Sequence, residues 1–160
     1  MSTLKKTNAL DIAYYFIDRA NKEGQKITNK KLQKLLYYGQ VWSLVINNKK
    51  LFPERIEAWV HGPAIPKVYR KFKAFEFNPI QFDTSSISFN LSEETRKLLE
   101  NIWSVYGKYN AEYLEALTHS ELPWQEARKD ISSSESSNQI ISLATAKKFY
   151  AGKLESTASN

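Results

Sequence analysis

Two histidines, His61 and His119, carry the only side chains in this 160-residue chain that ordinarily titrate near neutrality. Acid–base or metal chemistry would therefore start from them. Each sits near a proline and a tryptophan, in "EAWVHGP" (57–63) and "THSELPW" (118–124). Neither belongs to an HExxH pair, and with no cysteine a zinc site would need both imidazoles plus carboxylates such as Glu57 and Glu121. A Ser-His-Asp triad is defined by geometry rather than spacing, so the sequence leaves it open. However, there is no G-x-S-x-G, and the serines cluster in loop-like runs. Five glycines and no Walker or dinucleotide motif leave little to cradle phosphate. No enzyme activity, cofactor or metal is expected, and His61 is expected to hold a turn ahead of Gly62-Pro63.

The absence of cysteine also removes disulfides and thiolate clusters. No signal-peptide h-region or apolar run of about 20 residues is evident, so a cytoplasmic location away from membranes is expected. The charge is uneven. The first 75 residues hold 15 Lys/Arg against 5 Asp/Glu, and the remainder 8 against 12. Two regions of opposite potential would steer a charged partner. Lys30, Lys31 and Lys34, with Lys67, Arg70, Lys71 and Lys73, lie among tyrosines and could touch phosphates and bases. The alternative function is therefore a nucleic-acid-binding regulatory protein that uses the basic N-terminal half. Four tryptophans and nine tyrosines point instead to protein contacts, with Trp59 and Trp124, beside turns, as the candidates.

These residues need elements to hold them. Asn8 and Thr28 can cap two helices, the second ("TNKKLQKLLYYGQVWSLVINN") with an apolar stripe and Gly39 for a close approach by another helix. A short strand is expected near 55–60, and a third helix begins at Pro63 or Pro66. Two β-prone runs suggest a hairpin near 79–90. Ser92 and Asn110 open further helices, Pro123 begins a short one, and "SLATAKKFYAGK" ends the fold. The expectation is a mainly α, compact bundle of six or seven helices with a small β element. One domain covers 1–153, with a disordered tail at 154–160.

Three blocks, "KLQKLLYYGQVWSL", "LFPERIEAWVHGPAIPKVY" and "YLEALTHSELPWQEAR", resemble in order and spacing the signature of the Panacea domain, the SocA-like or phage-associated GepA-like family. The resemblance runs from the first helix to about Arg128. It departs at Leu122, where a small or polar residue would be expected. It implies a mainly helical antitoxin of a toxin–antitoxin pair, which neutralises a protein toxin encoded by a neighbouring gene through direct contact. At least one similar protein delivers its toxin to a protease, so a protease or adaptor partner is also implied. Nucleic-acid binding is not.

Carried onto this chain, the motif positions are Leu32, Gln33, Lys34, Leu35 and Tyr37, then Trp59, His61, Gly62, Pro63 and Tyr69, then Thr118, His119, Glu121, Pro123 and Trp124. Of these, Trp59, His61, Pro63, Tyr69, His119, Glu121 and Trp124 are the expected toxin contacts. Leu32, Gln33, Lys34, Leu35, Tyr37, Gly62, Thr118 and Pro123 are the expected framework. "WVHGP" is then a rigid corner between a strand and the third helix, displaying an aromatic surface.

Overall fold

Most helices of the chain begin where a short polar side chain takes a free backbone amide. In the computed structural model, which describes residues 6–158, α1 (Ala9–Lys22) opens with a reciprocal capping box. Asn8 Oδ1 accepts from the Asp11 amide at 2.9 Å, and Asp11 Oδ2 accepts from the Asn8 amide at 3.0 Å, the arrangement that satisfies two orphan donors together. Thr28, Ser92 and Asn110 cap α2 (Asn29–Asn47), α4 (Glu93–Tyr106) and α5 (Ala111–His119) likewise. Proline starts α3 (Pro66–Phe72) and lies in the first turn of α6 (Leu122–Ala127), where its missing N–H costs nothing. The last helix, α7, is Leu143–Ala158.

The helices surround α2. It packs against α1, α3, α4, α5 and α7 and against the small sheet. Every residue from Lys31 to Val41 is buried, so α2 is not the one-sided stripe its spacing predicts but a pillar enclosed all round. Leu32, Leu35 and Leu36 are fully enclosed, each worth about 1.5–3 kcal/mol of burial. Its polar side chains are enclosed too, and they bond to other backbone. Gln40 Oε1 accepts from the amides of Leu51 (2.7 Å) and Phe52 (3.2 Å), while its Nε2 donates to the Phe52 carbonyl at 2.8 Å. Gly39 faces this same loop. A Cβ there would lie 3.0 Å from Leu51 Cδ2 and 3.9 Å from Leu99, so a loop, more than another helix, makes the close approach.

The sheet consists of β1 (Glu57–Trp59) and β2 (Gly62–Ala64), antiparallel, with Trp59 opposite Gly62 and Glu57 opposite Ala64. The expected strand near 55–60 is β1, but Pro63 belongs to β2, and α3 starts only at Pro66. The hairpin expected at 79–90 does not pair. Its β-prone side chains dock separately on α1: Phe82 stacks on Tyr14 at 5.0 Å, and Phe89 meets Tyr15 edge-on at 6.2 Å. Its polar groups are taken by α1 side chains, Asn21 donating to the Phe82 carbonyl and Asp18 accepting from Thr84. Packing on a helix thus replaced the cross-strand ladder. The terminal helix continues to Ala158, past the boundary expected at 153; residues 159–160 of the expected tail lie outside the described residues.

If the enclosed polar side chains of α2 fix the loops around it, Gln40→Ala should be costly although Gln40 is far from any expected site. Each backbone group left unpaired costs about 1–3 kcal/mol. Urea unfolding should show a midpoint lowered accordingly, with an unchanged slope.

Candidate functional site

The three sequence blocks meet at the β1–β2 hairpin. Its turn needs glycine: Gly62 has φ +105°, and a Cβ there would fall 2.4 Å from Lys34 Cε and 3.0 Å from Thr118 Oγ1. The first block supplies the floor. Lys34 Nζ donates to the Pro63 carbonyl at 3.2 Å, and Gln33 Oε1 accepts from the Ile65 amide at 2.8 Å. Gln33 in turn donates to Asn29 Oδ1 (3.0 Å), and Asn29 donates to the Tyr69 carbonyl at 3.1 Å. Two side chains of α2 therefore act as the missing neighbour strand for β2. Leu32, Leu35 and Tyr37 of the same block are buried core.

The third block braces the other side. Trp124 Nε1 donates to the Trp59 carbonyl at 2.8 Å, and the Trp124 ring stacks on His119 at 3.9 Å. Thr118 and Pro123 are buried between these elements. Arg128 lies 4% exposed beneath β1. It donates to the carbonyls of Ala58 (2.9 Å), Ser132 (2.8 Å) and Glu135, and its guanidinium lies 5.2 Å from the Trp124 ring.

Of the expected contact residues, Trp59 and Tyr69 are half-buried, forming an edge-to-face pair at 5.0 Å. His61 is exposed, with Nδ1 2.8 Å from Glu115 Oε1. His119 is half-buried. Pro63, Glu121 and Trp124 are corrected to the interior: Pro63 is closed over by Lys34, and Trp124 is fixed by its bond to β1. Glu121, 3% exposed, accepts from the hydroxyls of Tyr38 (2.7 Å) and Tyr150 (2.9 Å) and from Lys153 (2.8 Å), with Tyr37 and Tyr150 hydroxyls 2.8 Å apart. It anchors α7. Lys31 and Lys34 of the expected basic flank are likewise buried, and Lys31 donates to the Gly107 carbonyl at 2.5 Å. Lys67, Arg70, Lys71 and Lys73 remain exposed.

Beside the hairpin opens a groove of about 850 Å³. Its floor is the Asn29–Lys34 face of α2. Glu57, Trp59 and His61 form one wall, Tyr69 and Phe77 a second, and Ser134 to Asn138 a third. The serine-rich loop is tied to β1 where Ala58 N–H donates to the Gln139 carbonyl (2.8 Å) and Ile141 N–H to Ile56 (2.9 Å). The sequence reading weighed Glu57 only as a metal ligand, and it missed Phe77, Arg128 and this loop. The period-two spacing of Glu57 and Trp59 placed them on one strand face; the loop offered no periodic signal at all.

Burial sets the protonation pattern. It pushes the Lys34 ammonium down to about 7, opposed by Glu115 and assisted by repulsion from Lys30. It also holds the His119 imidazole below its usual range. Burial opposes ionisation of Glu115, but hydrogen bonds from Lys30 and His61 prevail and keep its carboxyl below the ordinary value. Lys30 Nζ lies 2.7 Å from Glu115 Oε2. Among the described residues, no serine hydroxyl hydrogen-bonds His61, no three His, Asp or Glu side chains cluster as metal ligands, and no helix is long and apolar enough to cross a membrane.

Comparison with known proteins points one way. The model for the family "Antitoxin SocA-like, Panacea domain" matches residues 32–125, a span holding all the motif positions from Leu32 to Trp124. The chain is 30% identical over 131 residues to Antitoxin SocA of Caulobacter vibrioides (strain NA1000 / CB15N), covering 75% of this chain and 70% of that protein. No solved structure matches it.

Lys34 has a lower pKa folded than unfolded, so the folded state releases its proton first and stability should rise with pH between about 7 and 10. The slope is at most about 1.4 kcal/mol per pH unit; below about pH 7 the cost of burying the ammonium is fully present. Unfolding curves of the wild type and Lys34→Met should therefore diverge in the wild type's favour up to about pH 9.5, before tyrosines ionise. Parallel curves would show that no ammonium is buried there. Gly62→Ala, adding both left-handed strain and a clash, should cost about 2–5 kcal/mol, seen as a lowered urea midpoint.

Proposed function

The chain belongs to the antitoxin SocA-like, Panacea-domain family, and on that footing we propose that it is an antitoxin neutralising a cognate protein toxin by direct contact, without turnover of its own. The observation that carries this reading is the convergence of the three blocks on one half-exposed aromatic corner. A catalytic site would instead converge on an activated nucleophile or base. The imidazole–carboxylate pair of His61 and Glu115 is the nearest approach to one, and Lys30 occupies the carboxylate's second oxygen. Half-buried Trp59 and Tyr69, held in place from behind, have the character of interface anchors, which are aromatic, central and rigid.

The toxin is the product of a neighbouring gene in this reading, and the complex forms in the cytoplasm. The same contact serves either to mask the toxin or to present it to a protease. The toxin's half-life on co-expression separates the two: it is unchanged or lengthened by masking and shortened by delivery.

Co-expression of the neighbouring gene product with this chain should restore growth. Trp59→Ala and Tyr69→Ala should each weaken the complex by about 1–3 kcal/mol, roughly 5- to 150-fold in Kd by calorimetry, in chains that still unfold cooperatively. Trp124→Ala should lose rescue and stability together. Rescue and affinity undiminished in both Trp59→Ala and Tyr69→Ala would remove the corner from the interface. Conversion of a small molecule by the purified chain alone would overturn the reading.

A further inference from the structure

We propose that the groove beside the hairpin receives an extended segment of the protein partner, with an arginine or lysine side chain inserted toward Glu57. That the segment belongs to a toxin rests on the antitoxin reading; the chemistry of the groove does not.

The argument begins with charge. Of the basic side chains lining the groove, Lys30 is paired with Glu115, as is His61, and Lys34 points its Nζ at the Pro63 carbonyl under Gly62. The carboxylates are less well matched. Glu57, whose side chain is 9% exposed, accepts one neutral hydrogen bond, from Trp59 Nε1 at 2.9 Å. Its other oxygen has only Arg55 Nε at 3.5 Å, on a side chain that is 69% exposed. Glu76, exposed on the opposite rim, has no ion pair among the described residues. A carboxylate withdrawn from water without a close cation is costly, and a guanidinium fork or an ammonium supplies what it lacks.

The walls suit the stem of such a side chain. Trp59 and Tyr69 stand edge-to-face beside Glu57, and Phe77 is 92% exposed at the rim. Aromatic faces hold both the methylene stem and the cation of Arg or Lys. The third wall favours a polypeptide over a small cation. Among the described residues, the backbone amides of Ser136, Ser137 and Asn138 donate no backbone hydrogen bond. In such a run alternate amides can face one side, and an extended segment pairs with those while side-chain pockets take its residues.

The probe is a positional-scanning library of acetylated, amidated, fluorescein-labelled decapeptides, titrated by anisotropy against the full chain. Arg or Lys should be selected at one position, and citrulline in its place should weaken binding at least tenfold. Glu57→Gln, which can still accept from Trp59, should show the same loss at a melting temperature no lower than the wild type's. Glu76→Gln, at an exposed site that cannot disturb folding, should show a smaller one. Selection of Asp or Glu, indifference to charge, or full affinity in Glu57→Gln would overturn the proposal. So would the absence of any binding peptide while the chain still rescues growth from its neighbouring toxin; the antitoxin reading would then stand and the docking site would lie elsewhere. Arg-selective binding with no toxin neutralised would leave the groove assignment intact and refute the antitoxin reading.

Discussion

A helix enclosed from Lys31 to Val41 has no solvent to offer its polar side chains, and the rest of the fold is arranged around meeting that need. Asn29, Gln33 and Lys34 bond to the backbone between Pro63 and Tyr69, Lys31 to Gly107, Gln40 to Leu51 and Phe52, and Ser43 to Lys49. Because a buried polar group left unpaired costs more than its bond gains, each of these loops is held to one position. The hairpin shows the consequence. Two strands of three residues are not stable in water on their own. Here one edge is completed by α2 side chains and the other by Gln139 and Ile141.

The same economy explains the placement of charge. Lys31, Lys34 and Arg128 are buried cations whose hydrogen bonds run to carbonyls, not carboxylates. Lys34 and Arg128 lie behind β2 and β1 respectively, each bonded to backbone carbonyls of the corner. Desolvation makes that expensive for an ammonium, which is why Lys34 gives up its proton so readily; a guanidinium stays charged at any working pH. Against burial, Glu115, on α5, is held below the ordinary carboxylate range by Lys30 and His61. By contrast, Glu121 is buried among phenols whose own ionisation is suppressed, Tyr37, Tyr38 and Tyr150 all being raised, chiefly by burial.

The helices were legible because their signals are local. Asn8, Thr28, Ser92 and Asn110 cap where their types suggest, and the turn at Gly62 was visible in "WVHGP". What was not legible was long-range. Lysines on α2 look like a solvated flank until β2 and α4 close over them. Glu121 and Trp124 look like surface residues beside a turn until α7 and β1 are placed. The β-prone runs at 79–91 alternate as strands would, but the aromatic face of α1 competes successfully for their side chains. Residue type and the family resemblance thus drew attention to three blocks; only the packing separated their side chains that face outward from those held inside.

That separation bears on how a corner of this kind can bind selectively. Its base is fixed by buried hydrogen bonds from three elements, so a partner spends little entropy ordering Trp59 or Tyr69, which is the usual deduction from interface affinity. Burying the exposed ring of Phe77 adds apolar contact of about 2 kcal/mol, but such contact discriminates poorly among partners, since any apolar group of suitable size gains it. Charge discriminates better. A segment that brings an acid to Glu57 meets repulsion in a desolvated setting, whereas one that brings a base relieves a deficit already present in the free protein. Affinity from the aromatic wall and choice from the carboxylate are therefore separable, and they lie two residues apart on the same short strand.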